Sequence, residues 1–298
     1  DLYLSKRKEE EICTHYLYVS RKATYPATLK PLDNERFSLL RKYAQFSISD
    51  FLENIGMSDA VTKLGLEQTE VDQPIDDFFN SPAFYKLCSM EDFQTLYEDS
   101  RTQYRARFKR YCEQEGLLAE RTIAIADVGW SGTMQDNICS VIGNANCLGV
   151  YIGVINSAYI SSKNKKLGLI FSENPVDSKD LSLWSYDHVF LERILCASHG
   201  ATDHYEGQEG NTVSPVLKEY TSEVENYERI KPVQSMILQK FVQLCDCFKT
   251  SCYSAENLYE LFLNVHLRTI FVVNNKQLEL QKNTLTGQMQ NFGHLTTA

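Results

Sequence analysis

The passage that most constrains this chain lies near its middle. Thr122–Ala126 is an apolar, strand-like run, and Asp127-Val-Gly-Trp-Ser-Gly-Thr133 follows as a loop of mostly small residues. Met134–Ile142 then places Ile138, Val141 and Ile142 at helical spacing, and Cys147–Ile155 is a second apolar run. Strand, helix and strand in this order predict two parallel strands joined by a right-handed crossover. The expected class is therefore α/β, and in such sheets ligands gather where strands end in loops.

The flanking sequence is read around this unit. Thr14–Ser20 is rich in β-formers and predicts a strand, with Leu167–Phe171 as a further one. Residues 34–65 read as short helices, with Ser47-Ile-Ser-Asp50 as a cap, and Leu66–Pro74 as a loop. Ser89–Gly116 predicts one long helix, its Phe93, Leu96, Tyr97, Tyr104, Phe108 and Tyr111 recurring at three- and four-residue steps. On that helix Arg101, Arg105, Arg107, Lys109 and Arg110 read first as a solvated face, and second as a phosphate- or glycan-facing patch. Leu181–Ala197 reads as a helix, Ser198–Ser214 as a hairpin or loop, and the chain from Tyr220 as helices. The expectation is one domain over 1–298, with a helical insertion at 30–118 between sheet strands and a helical C-terminal region at 220–298.

Composition excludes several classes. A net charge of −9 argues against a nucleic-acid surface, which needs a basic face. No apolar run reaches the length of a membrane span, and the first residues lack the order of a signal peptide. Nine cysteines, an odd number without framework spacing, suit a reducing compartment, so a cytoplasmic protein is expected, alone or held at the membrane by a biosynthetic complex. Cys245, Cys247 and Cys252, even with His266, lack the paired spacing of a zinc site and read as small apolar residues.

The loop is the place for chemistry. Gly129 and Gly132 allow close backbone approach, Ser131 and Thr133 add hydroxyls, and the helix start favours an anion. Asp127, at the strand end, suits sugar hydroxyls or a metal, and Trp130 sits mid-loop. No Lys follows the second Gly as in a P-loop, the third Gly of a dinucleotide fingerprint is missing, and Gly129-Trp-Ser-Gly132 is not a nucleophile elbow. The shape comes closest to the phosphoribosyltransferase loop. Aligned on Ser131-Gly132, Asp127 falls on that loop's second acid, while Ala126 replaces the first and Met134 its last Thr.

Beyond the loop, Tyr16–Lys22, Ala126–Gln135, Leu148–Gly153, Phe190–Tyr205 and Val233–Phe241 follow one another in an order that resembles the C-terminal part of bacterial two-domain polysaccharide-biosynthesis proteins. In those proteins a haloacid-dehalogenase-like phosphatase precedes it. The resemblance implies a Rossmann-like or phosphoribosyltransferase-like parallel sheet. It also implies transfer of phosphoribose from phosphoribosyl diphosphate, held with Mg²⁺, to a glycan acceptor of the cell surface. The diphosphate-binding turn is expected in a segment before Asp1, and no Asp-x-Asp phosphatase motif is present. Gly129, Trp130, Ser131, Gly132, Thr133 and Arg21 are then the phosphate- and ribose-binding candidates. Asp127 would stabilise positive charge, and Glu192 or His199 would take the acceptor proton. Singly, Arg21, Glu192 and His199 read more readily as surface residues. Tyr18, Tyr25 and Trp130 read as sugar-stacking or buried aromatics. Two alternatives stand: a nucleotide-sugar glycosyltransferase using another sugar-phosphate donor, or a non-catalytic acceptor-binding domain.

Overall fold

The computed structural model describes residues 14–43, 45–118, 122–143, 146–155, 159–173, 191–192, 194–207, 212–218 and 221–250, with isolated positions up to 265. It is mixed α/β with a three-stranded parallel sheet, as the central passage predicts. The predicted strand at Thr14–Ser20 does not form. Distant tyrosine hydroxyls meet its backbone in place of a ladder. The Tyr18 N–H donates to Tyr111 Oη at 2.9 Å, and Tyr205 Oη donates to the Tyr18 carbonyl at 2.8 Å. Ser20 then caps the short helix α1 (Arg21–Thr24), its hydroxyl accepting from the Ala23 N–H.

A helical lobe follows. The two-residue strand β1 (Gln45–Phe46) leads into α2 (Ile48–Asn54), α3 (Ala60–Lys63) and α4 (Gln68–Val71). β2 (Ile75–Asp76) pairs antiparallel with β1 and precedes α5 (Pro82–Ser89). Ser47 and Asp50 form the reciprocal capping box that their spacing predicts. The lobe's core is aromatic: Phe37, Phe46, Phe51, Phe78, Phe79 and Phe84 are buried and meet one another largely edge to face. Such pairs add to the burial of the rings themselves. Leu66–Pro74, expected as loop, contains α4.

The long helix α6 (Glu91–Gln114) ties this lobe to the rest. Its first half buries Phe93 and Tyr97 in the aromatic core, and its second half buries Phe108, Tyr111 and Cys112 in a separate core. At 1.5 Å per residue the helix is about 36 Å long, enough to serve both. Its basic stretch is not simply a solvated face. Arg105 donates to the carbonyls of Ala27 and Ser140, at 3.1 and 3.0 Å, and so joins three segments.

The sheet order is β3 (Thr122–Trp130), β4 (Asn146–Val154), β5 (Asn164–Ser172), both pairings parallel, with α7 (Thr133–Ile142) joining the first two. Ile138 and Val141 of α7 pack into the second core with Ala23, Ala27 and Tyr205. On β5 burial alternates, so Asn164, Lys166 and Gly168 are buried while Leu167 and Leu169 are exposed. Cys139 of α7 and Cys147 of β4 form a disulfide with Cα atoms 6.7 Å apart, a pairing that scattered spacing did not foretell.

The expected hairpin or loop at 198–214 is a hairpin: β6 (Ala201–Glu206) pairs antiparallel with β7 (Ser214–Lys218). Tyr205 packs its ring against Phe108 and Tyr111. The C-terminal region contains the helix α8 (Thr221–Thr250), with Cys245 buried and Cys247 exposed. Cys252 and His266 lie outside the described residues, as do most of the predicted helix 181–197 and the end of the chain. No helix among the described residues is long and apolar enough to cross a membrane.

Candidate functional site

The predicted loop 127–133 is shorter than its sequence suggests. β3 continues to Trp130 because β4 offers it a ladder as far as Val154, and only Ser131 and Gly132 form the turn. Asp127 is thus a strand residue, opposite Tyr151 of β4. Both glycines are required by space as well as by conformation. At Gly129 (φ 151°) a Cβ would lie 2.6 Å from the Gly153 carbonyl oxygen; at Gly132 (φ 62°) it would lie 2.7 Å from Tyr151 Oη. Gly132 is the N-cap of α7 and brings no capping side chain, so the first amides of the helix keep their capacity for an anion. Ser131 and Thr133 are half-buried on either side of it.

Behind the turn lies a buried polar network. The Lys166 side chain is 0% exposed, and its Nζ donates to the Ser131 carbonyl at 2.8 Å and to Asp136 Oδ1 at 2.7 Å. Asn164 Nδ2 donates to the same Asp136 oxygen, Gln135 Nε2 donates to Asn164 Oδ1, and Tyr151 Oη donates to Gln135 Oε1. Burial lowers the Lys166 ammonium pKa and raises that of the Asp136 carboxyl, while each holds the other charged. Sequence reasoning missed Lys166. Starting β5 at Leu167 cut it off, although two-residue alternation from Gly168 would have put it on the covered face.

In front of the turn three predicted residues share one electrostatic neighbourhood. Burial raises the Asp127 carboxyl pKa; the Val128 amide at 2.7 Å opposes this, Glu192 adds to it, and Arg21 again opposes it. Burial also depresses the Arg21 pKa, against the pull of Tyr43, Glu192 and Asp127. Glu192 Oε1 accepts from Trp130 Nε1 at 2.5 Å, which fixes the indole beside the turn and leaves Oε2 for another partner. Arg21 begins α1 and does not sit at a strand end, so the helix delivers it.

His199 is held next to Tyr16 and Tyr18, with ring centroids 5.4 and 4.9 Å away. Its Nδ1 faces the Gly200 carbonyl at 2.8 Å and must carry a proton to bond it. The neutral ring then offers Nε2 as acceptor for the Tyr16 hydroxyl, 2.9 Å away. Burial raises the Tyr16 pKa, with Tyr18 and Asp127 adding to the effect, which links this aromatic group to the carboxylates. Sequence reasoning did not single out Tyr16. Tyr25 is buried in the helical lobe and cannot stack on a ligand. His204 is occupied by Asp203 and Glu206 on β6.

Among the described residues no three His, Cys, Asp or Glu side chains are grouped to hold a metal by themselves. No protein-family model matches the chain, and no curated protein sequence matches it significantly.

Proposed function

We propose that the chain is a phosphoribosyl-transferring enzyme that moves phosphoribose from phosphoribosyl diphosphate to a glycan hydroxyl in bacterial surface-polysaccharide assembly, on a phosphoribosyltransferase-like variant of the α/β fold. The observation that carries this reading is that Glu192 bonds Trp130 beside a glycine turn that opens a helix, with Asp127 and Arg21 within its electrostatic reach. The phosphoribosyltransferase loop uses paired acids in sequence, and Ala126 removes one of them here. Glu192 supplies a second carboxylate from elsewhere in the chain, next to Asp127 and bonded to Trp130.

The chemistry follows from charge. The C1–O bond to diphosphate breaks, the acceptor oxygen bonds to C1, and the acceptor proton passes to a base. Positive charge develops on the ribose ring between these events, and a buried carboxylate such as Asp127 stabilises it. Amides and hydroxyls of Ser131, Gly132 and Thr133 hold the 5-phosphate, and Arg21 meets a diphosphate oxygen with its planar fork. The free oxygen of Glu192 takes the acceptor proton, and His199 is the second candidate through Tyr16. Asp127 and Glu192 are the carboxylates that would hold a magnesium ion bound with the diphosphate, an ion commonly held by one or two carboxylates plus phosphates, and it would supply positive charge opposite the leaving group.

A ligand that binds only the folded chain raises its melting temperature. Phosphoribosyl diphosphate with Mg²⁺ should do so, more than ribose 5-phosphate or a nucleotide sugar. Asp127→Asn and Thr133→Ala should each weaken the shift. A cooperative melt that no donor moves would overturn the reading.

A further inference from the structure

We propose that the cleft between the helical lobe and the β6–β7 hairpin is a binding subsite for a neutral, polyhydroxylated sugar, lined by Asp99, Gln103, Tyr104 and Arg107 of α6 with His204 of β6. The cleft holds about 520 Å³ and opens beside a smaller recess of about 140 Å³ that shares Tyr104, Asp203 and His204. That volume lies within the roughly 300–1,000 Å³ common for small-molecule sites.

Four features of the lining favour a sugar. Asp99, Gln103 and Arg107 follow at four-residue steps, so they form one stripe along α6 about 12 Å long, room for more than one ring. A carboxylate, an amide and a guanidinium together can accept from and donate to the hydroxyls of such a ring. Tyr104 supplies the aromatic surface. Its ring settles over Gly56 (φ 76°), where a Cβ would lie 2.5 Å from Tyr104 Cε2. Finally, two of the neighbouring lysines are already compensated: Lys22 by Glu53 and Asp203 at 2.7 and 2.8 Å, and Lys63 by Asp59 at 2.5 Å. The lining sets Asp59, Asp99 and Asp203 against Lys63 and Arg107, which disfavours a phosphate, whereas a neutral sugar meets no such repulsion.

The position links this cleft to the site at the sheet end. Consecutive residues of α1 serve the two places: Arg21 interacts with Asp127 and Glu192, and Lys22 with Glu53 and Asp203. One helical turn therefore forms the partition. Sugar binding at the cleft stands on the lining alone; its assignment as the glycan acceptor rests on the transferase reading.

Saturation-transfer NMR on the full 298-residue chain, with cellobiose, lactose and diacetylchitobiose as probes, tests this directly. At least one disaccharide should receive saturation. Arg107→Ala and Asp99→Ala, both changes away from the buried cores, should each weaken its binding about tenfold, the scale of one lost hydrogen bond to a charged group. Thr133→Ala should leave it unchanged. No transfer to any disaccharide, equal transfer in the wild type and both cleft variants, or displacement of the sugar by inorganic phosphate would each overturn the proposal. The donor titration is read separately. Sugar binding without a donor response keeps the cleft and removes the transferase reading; the reverse keeps the transferase reading and removes the cleft.

Discussion

The helical lobe and the end of the parallel sheet are built from opposite materials. The lobe buries rings: Phe37, Phe46, Phe51, Phe78 and Phe79 fill its interior, and polar groups stay at its caps. The sheet end desolvates charge: Lys166 is fully buried against half-buried Asp136 behind the turn, and half-buried Asp127 and Arg21 lie near it. Aromatic burial favours folding at every pH, whereas desolvated charge is costly unless each group keeps its partner. Stability is thus concentrated in the lobe and α6, while the sheet end holds the desolvated ionisable groups.

The largest expected effect is in the lobe. Phe51→Ala should lower unfolding free energy by about 3–5 kcal/mol in a denaturant titration, with no pH dependence of the loss. An equal loss from a ring elsewhere would blur the contrast. Lys166→Met should cost about 3 kcal/mol at neutral pH, because it strands Asp136 and releases the Ser131 carbonyl. Here the loss must depend on pH. Burial already raises the Asp136 carboxyl against the pull of Lys166, and without Lys166 that rise is larger. A raised group gives stability below its unfolded pKa and loses it as pH rises through its folded one. The variant should therefore recover toward the wild type on acidification, and a pH-independent deficit would remove the charge argument.

Gly132→Ala should cost about 1–3 kcal/mol by the same titration, since φ 62° strains an alanine and its Cβ meets Tyr151 and Lys166. The smallest effect belongs to Asp203. Burial works to raise its carboxyl, but the bonds from Lys22 and His204 prevail and hold it below its ordinary value. Its contribution is present above the unfolded value, about 3.9, and is lost as pH falls through the folded one. Asp203→Asn should flatten the acid limb of the stability curve by less than about 1 kcal/mol, as this pair is partly solvated.

Local patterns carried much of this into the sequence. Apolar period and a small-residue turn locate β3, α7 and β4 within a few residues, and the Ser47–Asp50 spacing locates a helix start. What escaped depends on distant partners. Thr14–Ser20 is coil because hydroxyls 93 and 187 residues away satisfy Tyr18. Cys139 and Cys147 meet only because α7 folds back on the sheet. Of the candidate site, Asp127 and the turn follow from local pattern, and Arg21, Glu192 and His199 were singled out from residue type and the resemblance. The nearness of Arg21 and Glu192 to Asp127, and the contacts of Tyr16 and Lys166, come from tertiary packing.

The most direct test of this division is Asp127→Asn, measured for stability and for donor response in one series. Asparagine keeps the acceptor for the Val128 amide and removes a carboxylate that burial and Glu192 disfavour. The expected result is an unfolding free energy equal to or above that of the wild type, with the melting shift by magnesium phosphoribosyl diphosphate weakened. A clear loss of stability with the donor response intact would contradict it.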